Sequence, residues 1–294
     1  RAESRATTED RAGSAAARTS SAILRAMCCF SMPVPYVAGT KIFARPLDGG
    51  RQALVYSMAF RAEEELAMIL PLPVPPDSAE DAVRFIDLSG YDRFFEDMDR
   101  AFPTEMLPPP RGGSRDRSRA RPKLKVHDVG DYEASFVPGL ADFDRLDERF
   151  KLAPEVWEQL PQYADWGFAV FKLGAAPTSG LLARVFDSVM SPKTRTVHPM
   201  AFEFPRREPA VLFFPTVHIH DGEVHETATF DHRLYCQVGA APAKGWESSN
   251  GPASKWVRTK RAEGLVDPSA AIYRRTLLGV YDNRDQELGS TDSR

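Results

Sequence analysis

Short apolar runs separated by turn residues dominate the chain, and few of them carry helical spacing. Residues 41–45, 52–60 and 67–74 (KIFAR, QALVYSMAF, AMILPLPV) predict three strands. The PLDGG stretch at 46–50 is a turn, and the short connections predict an antiparallel meander. Pro71 and Pro73 place the end of the third run at a sheet edge or exit. Asp77 and Ser78 predict the start of a helix running to about Leu88, with Glu80 and Asp81 favouring its first turn. Residues 91–102 predict a second helix, whose Phe94, Phe95, Met98 and Phe102 share one stripe and are expected in the core. Further on, 132–137, 166–173, 200–204 and 272–280 read as strands. Residues 143–150, 154–160, a stretch within 181–190 and 253–262 read as helical, with Pro154 suited to a first turn. The predicted fold class is α+β, with antiparallel β-meander and hairpin-rich sheets and a few short helices.

Breaks in this pattern divide the chain. Residues 1–26 are rich in Arg, Ala, Ser and Thr without an apolar run, and are expected to be a disordered tail, with Met27 reading as a native start. Residues 27–106 form a first part, a β-meander plus two helices. Residues 107–122 (LPPPRGGSRDRSRARP) are a linker or long loop. Residues 123–282 form a second α+β part, and 283–294 a polar, disordered tail. Arg111, Arg115, Arg117, Arg119 and Arg121 lie in the linker with no aromatic stacking platform, so they read as solvated charge.

The stretch 210–237 (AVLFFPTVHIHDGEVHETATFDHRLYCQ) holds four of the chain's six histidines. Asp221-Gly222 between two alternating runs predicts a two-residue hairpin turn, which requires φ > 0 at both positions. That turn sets the register: His220 opposite Glu223, Ile219 opposite Val224, His218 opposite His225, Thr216 opposite Thr227. Paired residues share a face. Val217, Ile219, Val224, Ala228 and Phe230 then face the core, while His218, His220, Glu223 and His225 gather on the other face. Opposed Cβ atoms about 4.5–5.5 Å apart would let these three imidazoles reach one divalent first-row metal, with Glu223 as fourth ligand or base. The set resembles the cupin pattern of His-x-His, Glu and a later His, but departs from it because the turn follows the His pair at once.

Charge and composition narrow the classes. A net charge of −3 gives no global electrostatic case for nucleic acid or an anionic membrane, so no nucleic-acid partner is expected. No run reaches the roughly 18 apolar residues of a membrane helix. Three cysteines, Cys28, Cys29 and Cys236, argue against a disulfide framework and for a reducing compartment, the cytoplasm.

Several blocks in order, CCFSMPVPYVAGTKIFAR at 28–45, QALVYSMAFRAEEELAMILPLPV at 52–74, VGDYEASFV at 129–137, YADWGFAVFKL at 163–173 and HPMAFEFP at 198–205, resemble a bacterial family, domain of unknown function 2330. The similarity spans roughly residues 28–205. It implies an α+β domain and no known activity, so no functional residue is carried over. Members tend to be exported or anchored, whereas this chain shows neither signal nor anchor, and the histidine-rich stretch is not a family feature.

Three functions follow from the residues. The absence of a Gly-rich phosphate loop, a nucleophile elbow or a Cys-x-x-Cys motif points first to a structural or interaction domain with an unknown partner. Metal binding through His218, His220, Glu223 and His225 is the second, and an open coordination position there would make the site catalytic. The third is an N-terminal-cysteine amidohydrolase, with Cys28 exposed by removal of Met27 and activated by its own amine.

Overall fold

The structure is a computed structural model, and it describes residues 28–32, 34, 36–61, 65–103, 132–173, 195–196, 199–219, 223–242 and 245–289. In chain order the strands are β1 (Cys28–Phe30), β2 (Tyr36–Pro46), β3 (Arg51–Arg61), β4 (Leu66–Leu72), β5 (Arg84–Ile86), β6 (Glu133–Val137), β7 (Gly167–Leu173), β8 (Arg195–Thr196), β9 (Met200–Pro205), β10 (Val211–Phe214), β11 (His218–Ile219), β12 (Thr227–Cys236), β13 (Glu247–Pro252), β14 (Ala271–Asp282) and β15 (Gln286–Gly289). Among the described residues two short α-helices join them, α1 (Phe94–Asp99) and α2 (Pro154–Glu158). One sheet has the order β13-β14-β12-β2-β3-β9-β5, with β8 also on β3; a second has the order β11-β1-β4-β7-β6; β10 and β15 form a separate pair.

The strands form where they do because most are covered on both faces. Ile42, Leu54, Tyr56, Met68, Leu70, Phe171, Phe202 and Leu234 pack between the two sheets. On the outer face of the larger sheet, Phe43, Val55, Ala201, Tyr235 and Ile272 meet α1 and the segment 253–266. On the outer face of the smaller one, Ile69, Phe168 and Val170 meet Phe143, Phe150, Val156 and Trp157. A strand between two apolar layers needs no polar alternation. β4 accordingly buries every residue of LAMILPL.

The expected pairing of the first strands holds for β2 and β3, which are antiparallel. It fails for the third run: β4 leaves that sheet and pairs with β1 and β7. The sheets are mixed, because β12 runs parallel to β2 and β1 parallel to β11. Both sheets also draw strands from either side of residues 107–122, so the two parts of the sequence build one body. The 107–122 stretch itself, the helix expected within 181–190 and the tail 1–26 lie outside the described residues.

Tertiary contact overrides local propensity at three expected helices. Within 77–88 the chain turns, with Asp77 at φ 57°, and then forms β5 against β9, where Arg84 forms an ion pair with Glu203 at 2.6 Å. Residues 143–150 and 253–262 form short 3-10 segments in place of α-helices. α1 does form where its apolar stripe predicts: Phe94, Phe95, Met98 and Phe102 are all buried. Its Asp99 accepts hydrogen bonds from Tyr235, Lys41 and Arg233, fixing the helix across β2 and β12. Among the described residues, no helix is long and apolar enough to cross a membrane.

Where a backbone ladder stops inside the protein, a side-chain amide continues it. Buried Gln52 donates to the Phe213 carbonyl at 2.7 Å and accepts from the Phe213 N–H at 3.0 Å, joining β10 to β3. Gln237 does the same for Asp267, accepting at 2.8 Å and donating at 2.9 Å. Replacing Gln52 with Leu leaves a buried N–H and a buried carbonyl without partners, each worth about 1–3 kcal/mol. We expect urea unfolding of Gln52→Leu to show a loss of at least about 2 kcal/mol with an unchanged denaturant slope.

Candidate functional site

The histidine-rich stretch does not fold as one hairpin. β11 pairs in parallel with β1, with Cys28 opposite His218 and Cys29 opposite Ile219. The return arm from Glu223 to Glu226 is not a strand, and His220, Asp221 and Gly222 lie outside the described residues. The expected His218–His225 pairing is replaced by a side chain. The Asn283 carboxamide accepts from the His218 N–H at 2.7 Å and donates to the carbonyls of both His218 and His225 at 3.0 Å each. One amide thus supplies what a neighbouring strand would have supplied to each arm.

Asp285 extends this latch. Its carboxylate accepts from the N–H groups of Thr216 at 2.7 Å and Val217 at 3.0 Å, and from the Tyr163 hydroxyl at 2.6 Å. The Thr216 hydroxyl in turn donates to the Arg284 carbonyl at 2.9 Å. Burial pushes the Asp285 acid up to about 6, against the pull of those three donors, and pushes the Tyr163 phenol well up as well. β15 follows directly and pairs with β10, burying Leu288. The stretch from Asn283 to Gly289, read from its polarity as the start of a disordered tail, is therefore structural. A run of polar residues gives no periodic signal, so nothing in the sequence marked Asn283 and Asp285 as partners of β11.

The structure brings His218 together with His232, which the sequence reading left out of the ligand set. Both are buried, at 2% and 1% exposure, and their rings stack 5.3 Å apart at 12°. Phe230 lies against both, with ring centroids 4.4 Å from His218 and 4.5 Å from His232. In the ladders His232 sits opposite Thr40 of β2 and Leu277 of β14. Among the described residues, neither ring nitrogen of His232 has a hydrogen-bond partner, and nor does the buried Thr40 hydroxyl. Burial, and then the neighbouring His218, hold the His232 imidazole well below its usual range, so it is neutral at pH 7. Glu223 and His225 are exposed. Among the described residues no three His, Cys, Asp or Glu side chains converge as a metal group. Cys29 and Cys236 are buried, and Cys28 opens β1.

His232 lies on one face of a two-stranded ribbon formed by the start of β12 and the end of β14, and His218 of β11 packs against that face. Its register sets Ala228, Phe230, His232, Leu277, Gly279 and Tyr281 on that face, with Phe230 directly across from Gly279. Gly279 has φ 121°, a conformation that only glycine adopts freely, and the space where a side chain would stand is open. The other face carries Thr227, Thr229, Asp231, Leu278, Val280 and Asp282. Leu278 and Val280 are each 70% exposed, and neighbouring Tyr281 is 39% exposed. β13 pairs with β14 only as far as Arg274. Beyond it, residues 275–282 have no neighbour on the outer side among the described strands. The sequence signal for this surface is the LLGVY run at 277–281, apolar on both faces at a place where only one is packed. A separate cleft of about 420 Å³, lined by Pro46, Arg206, Pro209, Leu212, Pro242 and Leu288, includes none of the histidines.

No protein-family model matches the chain, and no curated protein matches it. Among solved structures, it is similar to the crystal structure of baculovirus P35, with 14% identity over 86% of this chain and 96% of that one, at a TM-score of 0.45. A mutated baculovirus P35 after caspase cleavage gives 14% identity over 86% and 97%, at a TM-score of 0.43. P35 in a caspase-8/P35 complex gives 14% over 86% and 96%, at 0.38. Likeness at this level transfers neither a residue nor an activity.

The buried histidine makes a pH prediction with a definite sign. Its folded-state proton affinity is depressed, so below the unfolded imidazole value, about 6.5, the unfolded chain binds the proton that the folded one refuses. Stability from this group is therefore complete above pH 6.5 and falls as pH drops, by up to about 1.4 kcal/mol per pH unit. Asp285 acts oppositely: its raised acid favours the folded state as pH falls from about 6 towards about 4. In His232→Leu only the second contribution remains of the two. We expect urea midpoints of the native protein to fall between pH 7 and pH 5, and those of the variant to hold or rise. Equal slopes in both proteins would show that His232 is not the titrating group.

Proposed function

We propose that this chain is a structural or interaction domain that takes up an extended peptide segment along the outer edge of β14. The observation that carries this reading is that edge: Leu278 and Val280 are exposed on β14, whose outer side has no neighbour among the described strands from 275 to 282. Long exposed apolar edges promote unwanted pairing, and proteins usually blunt them with charge, proline or a bulge. This one has none of these between Thr276 and Tyr281. An added strand gains main-chain hydrogen bonds from the edge, and specificity from side chains that fall beside Leu278 and Val280.

A display screen of random extended peptides tests the reading. Native protein should enrich peptides with apolar residues at alternate positions, and Val280→Lys should lose them at least tenfold, one decade being about 1.4 kcal/mol. Enrichment that ignores Val280→Lys, or no enrichment, defeats the reading.

A second reading is metal binding through His218, His220, Glu223 and His225. What supports a ligand in this region is a buried imidazole outside the four, beside His218: the ring nitrogens of His232 have no protein partner among the described residues, and such groups call for an ion or a water. The expected outcome is near-stoichiometric first-row metal in the purified protein by mass spectrometry, lost in a His218→Ala/His225→Ala double variant that keeps its circular dichroism. No bound metal after reconstitution with zinc, copper, nickel or iron removes this reading.

A further inference from the structure

The strand-addition reading leaves open what occupies the edge, and the order of residues along it answers that. The open stretch is bounded on both sides. β13 occupies the outer side of β14 up to Arg274. At the far end the chain turns, the Asn283 N–H bonding the Glu226 carbonyl and the Arg284 N–H bonding the Asp282 carbonyl. The residues between are Thr276, Leu277, Leu278, Gly279, Val280, Tyr281 and Asp282. Read from either end, they run polar, apolar, apolar, glycine, apolar, apolar, polar.

We propose that the occupant is a second copy of this chain, paired antiparallel through the same residues about a two-fold axis at Gly279. A two-fold axis perpendicular to an antiparallel pair must pass through the centre of a directly opposed residue pair, so one residue meets its own copy. Of the possible centres, Gly279 fits the open stretch end to end. Leu278 then lies opposite Val280 of the partner subunit, Leu277 opposite the partner's Tyr281, and Thr276 opposite the partner's Asp282. Every apolar side chain meets an apolar one, and each hydroxyl meets a carboxylate that accepts from it. A centre at Leu278 would place the partner's Asp282 opposite Arg274, where Glu247 of β13 already sits in register. At Gly279 itself no side chain stands between the two backbones, the circumstance in which a strand-interior glycine is found.

Because the axis is perpendicular to the sheet, both copies present Leu278 and Val280 on the same face. The two exposed pairs merge into a single apolar patch across the junction, and directly opposed side chains come within about 4.5–5.5 Å at Cβ. A strand pair of this length buries less than the roughly 1,200–2,000 Å² of a standard stable interface. The dimer is therefore weak and concentration-dependent. The proposal rests on the strand-addition reading and narrows it to one partner.

Sedimentation of the full chain over a roughly hundredfold range of concentration around a micromolar-to-millimolar Kd is the test, beside Val280→Lys. Native protein should pass from monomer to dimer, and Val280→Lys should weaken association at least tenfold. A second measurement fixes the register. In Leu278→Cys/Val280→Cys, oxidised glutathione should link two copies through opposed thiols. Either single variant, with its thiols diagonal rather than opposed, should link far more slowly. Three results overturn the proposal: a monomer at every concentration, dimerisation unaffected by Val280→Lys, or a monomer whose 275–282 amides exchange slowly because a segment of its own chain covers them. A monomer that still selects peptides in a manner sensitive to Val280→Lys would remove the second copy and leave strand addition standing. A monomer that selects none would remove both.

Discussion

The structure depends on closing every backbone hydrogen bond between layers from which water is excluded. Two sheets lie face to face, and each is also covered on its outer side, so most strands have no solvent to fall back on. A buried N–H or carbonyl without a partner costs as much as a lost hydrogen bond. Three short irregular places break the ladders, and a carboxamide repairs each. Gln52 serves β10, Gln237 serves Asp267, and Asn283 serves both arms of the histidine stretch. An amide suits this task because it offers a donor and an acceptor at the spacing of a peptide group.

The same requirement explains how much of the fold was legible in the sequence. Apolar runs such as QALVYSMAF and GFAVFKL signal strands covered twice, and β3 and β7 formed there. The stripe Phe94, Phe95, Met98 and Phe102 signalled α1 because a helix against a sheet buries one side only. Pairing partners were a different matter. The helix start read at Asp77 and Ser78, and the hairpin partner read for His218 and Ile219, were local inferences, and long-range ladders decided otherwise: β5 joined β9, and β11 joined β1. A pattern of alternate side chains specifies which face is inside, and is silent on which strand lies alongside.

For the candidate site, the legible portion was its location and not its membership. His218 lies in the histidine-rich stretch that the sequence pointed to, and its ring stacks on His232, a residue of the same stretch outside the expected ligand set. Between the two arms stands Asn283, which bonds the backbone of both His218 and His225. Polar residues near a chain end look like solvated tail when read alone. What assigns Asn283 and Asp285 their roles is a set of N–H groups at Thr216, Val217 and His218, distant in sequence, that have no strand to bond.

The position of that latch bears on how the protein is made. β12 must pair in parallel with β2, some 190 residues earlier in the chain, and such distant pairing is slow because the loop must close before any contact rewards it. Residues 283–289 are synthesised after every other described strand, yet they secure β10, β11 and the return arm. Until they leave the ribosome, the N–H groups of Thr216, Val217 and His218 lack the side-chain acceptors that hold them in the finished protein. This nascent chain therefore completes its core only once residues 283–289 have been made, and until then its apolar strands depend on whatever shelters them.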